Sequence, residues 1–378
     1  MKDNILVLNA GSSSIKFAVF DVDLNEQITG IAAAIGGDAE LTVSNNTTNI
    51  DLPDHNAALN VILQALAVHG IPPENMIAAA HRVVHGGAQL TQPERVTAQT
   101  LTKIANCTPL APLHNPHNLA PIHALAKIAP KLAQFVSFDT AFHATNPAVA
   151  TRYAIPKILE TQGIRRYGFH GLSYASLVQN LPEISGEKLP RRLLAFHLGN
   201  GASLCAIKDG KSIATTMGYS PLDGLTMGTR AGGIDANAVL KLVEDHGLQR
   251  VKSILNNESG LLGLSGGKSD MRKLALDDAA DSHFAIDHFC YWSLRHAGSL
   301  IAAMQGLDGV AFTGGIGENA ANVRGQILQG LEWTGLVFNP TENQQNAAAL
   351  HRKNSPISAW IVPAQEERMI AQDVLSLL

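Results

Sequence analysis

One local pattern occurs twice in this chain: a β-patterned run, a turn of small polar residues and a second β-patterned run. The first copy leads from Ile5-Leu6-Val7-Leu8 through Asn9-Ala10-Gly11-Ser12-Ser13-Ser14-Ile15-Lys16 to Phe17-Ala18-Val19-Phe20. The second leads from Leu193-Leu194-Ala195-Phe196-His197-Leu198 through Gly199-Asn200-Gly201-Ala202-Ser203 to Leu204-Cys205-Ala206-Ile207. A turn of Gly and Ser offers N–H groups and hydroxyls without bulk, and Lys16 adds a point charge. The first turn therefore reads as a phosphate-handling hairpin, with an ordinary polar-tipped β-hairpin as the alternative. Two copies in two halves predict a duplicated α/β domain, with a phosphate chain held between facing hairpins in a cleft.

The length of 378 residues suits two domains, each able to bury its own core. A net charge of −4 without Lys/Arg runs argues against nucleic acid or an anionic membrane as the main partner. Lys2, Asp3 and Asn4 precede a strand directly, so no signal-peptide pattern is expected, and no apolar run reaches bilayer length. Cys107, Cys205 and Cys290 are far apart and form no metal-type pair, which fits a reduced cytoplasmic setting.

Alternating patterns along the chain predict α/β layers. Residues 61–66 read as helix, 77–84 as a buried strand ending at Gly86-Gly87, 118–129 as helix and 135–139 as strand. The first domain is expected to span 1–147, up to Asn146-Pro147, and the second 148–365. Within the second, a long helix is expected around Phe284–Gln305 and a strand at Gly309–Thr313. A C-terminal helix, 366–378, would pack back on the first domain.

Several apparent motifs fail on inspection. His81 and His85 have zinc-helix spacing, but Arg82 stands where a metalloprotease has its Glu, and Gly86-Gly87 would break the helix. His114, His117 and His123 lie among Pro112, Pro116 and Pro121 and read as loop residues. Gly266-Gly267-Lys268-Ser269 imitates a Walker A ending, but Leu262 occupies the place of the first glycine. Gly315-Ile316-Gly317-Glu318-Asn319-Ala320 follows a strand and opens the helical run 319–331. Its late position without a following βαβ unit points to an adenosine site and not a dinucleotide site.

Seven segments in order carry a family resemblance: Asn9–Lys16, His81–Gly87, Phe138–His143, Arg166–Gly171, His197–Gly201, Met227–Arg230 and Gly314–Asn319. Together they resemble acetate kinase over nearly the whole chain. The resemblance implies two duplicated ribonuclease H-like (actin-like ATPase) domains around a central nucleotide cleft, and a homodimer formed through the second domain. It further implies reversible, magnesium-dependent, direct in-line transfer of a phosphoryl group from ATP to acetate, giving acetyl phosphate and ADP, with manganese as a substitute metal.

By the same resemblance, Arg82 and Arg230 clamp the carboxylate and the transferring phosphoryl group, which suits the guanidinium fork. His170 would donate to the phosphoryl oxygens. Asp139, at a strand end, would organise charge near Arg82 and not act as base, since a carboxylate substrate is already ionised at neutral pH. Asn9 and Glu366 match the magnesium positions, with Glu367 adjacent to Glu366. Val84, Leu113, Phe169 and Pro221 match the pocket for the substrate methyl. Ser12, Lys16, His197, Leu198, Gly199, Asn200, Gly201, Asp270, Met271, Arg272, Gly315, Ile316, Gly317, Glu318 and Asn319 match the nucleotide segments.

One departure stands out: Ala231-Gly232-Gly233 replaces the Ser-Gly-Asp that the family commonly has, removing a hydroxyl and a carboxylate beside the clamp Arg230. The alternatives to an acetate kinase are a propionate or butyrate kinase, because a methylene or two discriminates by only about 1–3 kcal/mol, and a non-catalytic ATP-binding switch protein. The switch reading predicts an added peptide- or DNA-binding segment and leaves the Arg82 and Arg230 pair unexplained.

Overall fold

The structure is a computed structural model that describes residues 3–112 and 114–378. It divides into two compact units, one running up to Phe142 and including Gln365–Leu378, the other His143–Ala364. The division falls at Phe142/His143, not at 147/148, because His143 is buried among residues of the second unit. The Pro-containing stretch expected to be a boundary is instead a 3₁₀ turn, Ala141–Thr145, and a short helix, Ala148–Thr151.

The first unit is built on eight strands: β1 (Asn4–Ala10), β2 (Ile15–Asp21), β3 (Glu26–Ala33), β4 (Glu40–Val43), β5 (Asn46–Asn49), β6 (Met76–Val83), β7 (Glu94–Arg95) and β8 (Ala133–Phe138), in the order β5-β4-β3-β2-β1-β6-β8-β7. β1 pairs antiparallel with β2 and parallel with β6, and β6 pairs parallel with β8. Ile5, Leu6, Val7 and Leu8 are all buried, as a continuous apolar run covered on both faces requires. Helices His55–Val68 and Asn115–Ile128 pack against each other, their Leu59, Ile62, Leu66 and Leu125 joining Leu6, Leu8 and Phe17 in one core. The C-terminal helix Glu366–Leu375 packs on β1, β6 and β8 through Ile370, Ala371 and Val374.

The second unit holds five strands: β9 (Arg192–Leu198), β10 (Ala202–Lys208), β11 (Lys211–Thr215), β12 (Gly309–Thr313) and β13 (Ser358–Ile361), in the order β11-β10-β9-β12-β13. β9 pairs antiparallel with β10 and parallel with β12, and β12 pairs parallel with β13. This matches β3-β2-β1-β6-β8 strand for strand, so the duplication expected from the two hairpins extends to both sheets. The 25-residue helix Ala280–Met304 covers β9, β10 and β11.

Local chemistry explains where elements differ from expectation. The helix expected from residue 118 begins at Asn115, with Pro116 in its first turn, where a missing N–H costs nothing. His117 and His123 therefore sit on a helix and not in a loop. The run expected as one helix from Asn319 is two, Gly314–Asn319 and Ala321–Gly330, interrupted at Ala320.

Gly30, inside β3, marks a close approach: a Cβ there would stand 2.3 Å from both Phe17 Cζ and Thr42 O. Gly30→Ala is expected to destabilise the first unit by about 1–3 kcal/mol through overpacking, read as a lower denaturant midpoint.

Candidate active site

Parallel pairing brings the carboxyl ends of β1, β6 and β8 to one edge, and each end carries a polar residue: Asn9, Arg82 and, one residue past β8, Asp139. Arg82 donates from Nε to Asp139 Oδ1 at 2.8 Å and from Nη2 to Oδ2 at 2.6 Å, the bidentate fork geometry. Its Nη1 donates to Asn9 Oδ1 at 3.2 Å and lies 3.9 Å from Glu366 Oε2. Asn9 Nδ2 in turn donates to Glu367 Oε1 at 3.4 Å, so both residues of the Glu366-Glu367 pair reach the same edge.

Burial opposes the charge on Arg82, but Asp139 and Glu366 outweigh it and hold the guanidinium above its ordinary value. Burial raises the Glu366 carboxyl, with Asp139 and Glu367 adding to the effect against Arg82 and Lys16. These oxygen-only donors, an amide and crowded carboxylates, suit a hard divalent cation that takes few protein ligands. Among the described residues, no three His, Cys, Asp or Glu side chains form a ready-made metal cluster. On the same unit, Ser12 and Lys16 are exposed on the hairpin, Val84 is buried with its N–H bonded to Asn118 Oδ1, and Leu113 lies outside the described residues.

In the second unit His170 precedes the helix Gly171–Ser185 in a left-handed conformation, φ 59°, a strained backbone for histidine. Its Nδ1 bonds Ser203 Oγ at 2.9 Å, and Tyr174 Oη bonds the same hydroxyl at 2.6 Å. The ring stacks on His197 at 4.1 Å between centroids, and Ser173 Oγ holds His197 Nδ1 at 2.8 Å. His143 Nε2 bonds the carbonyl of buried Phe169 at 2.9 Å, fixing the approach to His170. Ser203, Tyr174 and Ser173 escape a sequence reading, because a polar residue inside an apolar run shows its partner only after folding.

A Cβ on Gly201 would stand 3.2 Å from His170 Nε2 and 3.6 Å from Arg230 Nη1, so both side chains reach the tip of the second hairpin. Arg230 donates from Nη1 to Pro221 O at 3.2 Å, and among the described residues no carboxylate pairs with it. Burial lowers its guanidinium. The loop that carries it is held by backbone bonds, Met227 N to Arg230 O, Gly228 N to Asn200 O and Ala231 N to Leu255 O. Ala231-Gly232-Gly233 therefore leaves the backbone support of Arg230 in place.

A cavity of about 1000 Å³ opens beside this hairpin. Of the expected nucleotide residues, Gly199, Asn200, Asp270, Met271, Arg272, Gly315, Ile316 and Asn319 line it. Unanticipated wall residues include Ala321, Asn322 and Gln344. Leu198 is buried, and Gly317 packs toward it and Phe312. Glu318 Oε1 accepts from the N–H of Gly314 and of Ala364, which makes it a brace for the loop. Gly314 has φ 80°, and a Cβ there would stand 2.8 Å from Leu198 O, so the turn into the loop requires glycine.

The acetokinase family model matches residues 4–372. Acetate kinase of Nitrobacter hamburgensis is 42% identical over 390 residues, covering 100% of this chain and 96% of that protein. Acetate kinase of Methylocella silvestris is 40% identical over 395 residues, covering 99% and 98%. Among solved structures, Porphyromonas gingivalis acetate kinase superimposes with a TM-score of 0.92 at 34% identity, covering 99% of both chains. A propionate kinase from Francisella tularensis gives 0.93 at 35% identity, covering 98% of both.

The helix that carries Glu366 is tied to β8 by Asp373, whose Oδ2 accepts from Ser137 Oγ at 2.7 Å. Burial raises the Asp373 carboxyl from 3.8 to about 6, despite that bond. The native state thus favours the protonated form. Its stabilising contribution is complete below the unfolded value of 3.8 and is lost as pH rises through about 6. Asp373→Asn keeps an acceptor for Ser137. At alkaline pH it should unfold at higher denaturant than the unsubstituted chain, by about 1–3 kcal/mol, a gap that closes as pH falls toward about 4.

Proposed function

The chain belongs to the acetokinase family, and from that premise we propose that it transfers the γ-phosphoryl group of ATP directly to the carboxylate of acetate, reversibly giving acetyl phosphate and ADP. The observation that carries the residue assignment is Arg230, a desolvated guanidinium without a carboxylate partner among the described residues, grouped with His170 at a Gly-rich turn. Such a group is built to receive an anion supplied by the reaction.

The division of labour follows from charge. Phosphoryl transfer needs little covalent help, but the three equatorial oxygens of the moving group carry charge that must be met by positioned donors. Arg230 and His170 supply that charge and a hydrogen bond. The Ser203 contact on Nδ1 and the stacking on His197 orient the ring so that Nε2 faces the hairpin tip. Arg82, held in its fork by Asp139, receives the acetate carboxylate with its remaining donor capacity, and Asp139 keeps it charged and oriented. By the family resemblance, Val84 and Leu113 of the first unit and Phe169 and Pro221 of the second are assigned to the methyl group. The cavity along Gly199–Asn200, Asp270–Arg272 and Gly315–Asn319 takes the nucleoside, with Ser12, Lys16 and the two hairpins assigned to the phosphates.

Magnesium, or manganese in its place, supplies neutralisation of the β- and γ-phosphates when bound. Glu366 and Asn9 would hold it, with Glu367 beside them, and the burial of Glu366, which with Asp139 and Glu367 close by raises its carboxyl, favours a divalent cation there. A second copy of the chain is the proposed partner. Ile234, Leu240, Leu248, Phe284 and Tyr291 of the second unit are exposed, and the helix Ala236–His246 buries none of its residues. No described helix is long and apolar enough to cross a membrane. ATP as co-substrate and three unpaired, buried cysteines favour the cytoplasm.

The likeness to a propionate kinase makes acyl chain length the first thing to test. Trapping acyl phosphate with hydroxylamine in the presence of Mg-ATP should show higher kcat/KM for acetate than for propionate or butyrate; preference for a longer acid would reassign the substrate. Arg230→Ala should lower kcat/KM by about 10²–10³-fold while MgADP still binds, and full activity in that variant would remove the assignment.

A further inference from the structure

Arg324 is fully buried, on the helix Ala321–Gly330, and among the described residues no carboxylate pairs with it. Carbonyl and amide oxygens take up its charge. Nη1 donates to Gly317 O at 2.9 Å, Nε to Asn343 Oδ1 at 2.9 Å, and Nη2 to Asn343 O at 3.0 Å and to Asn346 Oδ1. Asn343 Nδ2 closes the ring by donating to Ala321 O at 2.7 Å. Desolvation, with no carboxylate to offset it, lowers the guanidinium to about 10.

The acceptors are distributed in a telling way. Gly317 belongs to the short helix Gly314–Asn319, of which Gly315, Ile316 and Asn319 line the large cavity. Asn343 adjoins Gln344, another wall residue, and the helix carrying Arg324 contributes Ala321 and Asn322. A single planar fork thus joins three separate segments of wall. An apolar residue of similar volume would fill the space without fixing their mutual registry, and the carbonyl of Gly317, at the end of a short helix, would lose its donor.

We propose that Arg324 is a positioning residue for the nucleotide: it sets the spacing between the short helix Gly314–Asn319 and the Asn343–Asn346 segment, and so the fit of the nucleoside, without touching the acyl substrate. This deepens the nucleotide assignment above and rests on it.

The test uses the full-length enzyme, with MgADP titrated calorimetrically and steady-state constants measured for ATP and acetate separately. Arg324→Lys keeps a cation but cannot serve both acceptor segments at once, and it should weaken MgADP binding and raise the KM for ATP by about tenfold or more. KM for acetate should stay within about twofold, and kcat at saturating ATP should hold, because the clamp groups are untouched. Asn346→Gly is the milder variant: Asn346 is exposed with φ 51°, so glycine keeps the backbone and removes one acceptor. It should shift the same constants in the same direction by about threefold, and it decides the matter if the lysine variant does not fold. Unchanged MgADP binding in the folded variants would overturn the proposal, as would a fall in kcat accompanied by parallel changes in both KM values. Failure of the unsubstituted enzyme to bind MgADP would instead overturn the nucleotide assignment, and this proposal with it.

Discussion

A guanidinium taken out of water must be compensated, and Arg82, Arg324 and Arg230 are compensated in three different ways. Arg82 has a fork-to-fork carboxylate and two further acidic neighbours, so its charge is permanent and its direction fixed. Arg324 has only carbonyls and amides and is locked into structure. Arg230 has a single backbone carbonyl and a sulfur contact from Met227. The desolvation cost of the last is met least by the protein itself, and an anionic ligand is the group that would complete it. The hierarchy supports the roles proposed for them: an oriented receptor, a framework tie and a group that an anion would complete.

The duplicated sheet explains why such groups gather where they do. In each unit the central strand has an antiparallel hairpin partner on one side and a parallel strand on the other, so a tight turn and two carboxyl strand ends share an edge. That edge is where open α/β sheets leave backbone groups and strand-terminal side chains for ligands. Asn9, Arg82 and Asp139 occupy it in one unit; His197, Thr313 and the glycines after them occupy it in the other. The scaffold is the same in both, and the chemistry differs through the residues placed on it.

What the sequence makes legible follows from the range of the interactions involved. The strands at 5–8 and 193–196 announce themselves by unbroken apolar runs, and the turns after them by Gly and Ser, because both signals are local. His117 and His123 were expected in a loop because three prolines surround them. Pro116 in fact opens a helix, and Pro121 is accommodated inside it. Glu318 lies in a segment expected to contact nucleotide, yet its carboxylate spans two backbone N–H groups, one of them 46 residues away. Nothing near Arg324 in sequence signals that its acceptors are Asn343 and Asn346. Long-range polar partners of this kind leave no periodic trace.

The Ala231-Gly232-Gly233 segment shows how the two levels meet. Read as sequence, it removes a hydroxyl and a carboxylate beside Arg230. In the structure, a Cβ on Gly233 would stand 3.9 Å from Asp223 Oδ1, so an aspartate there would bring a second carboxylate toward an existing one. Gly232 adopts φ 76°, and its Cβ would meet Leu225 O at 2.4 Å, which makes that central glycine the sterically required member of the three. The flanking positions hold the loop through their backbone N–H groups, Ala231 to Leu255 O and Gly233 to Gly224 O, bonds that a serine or an aspartate there would also supply. Substituting them alters the charge around the arginine and leaves its placement intact. In the role proposed for Arg230, a segment that adds no carboxylate nearby leaves the arginine's attraction for an anion undiminished.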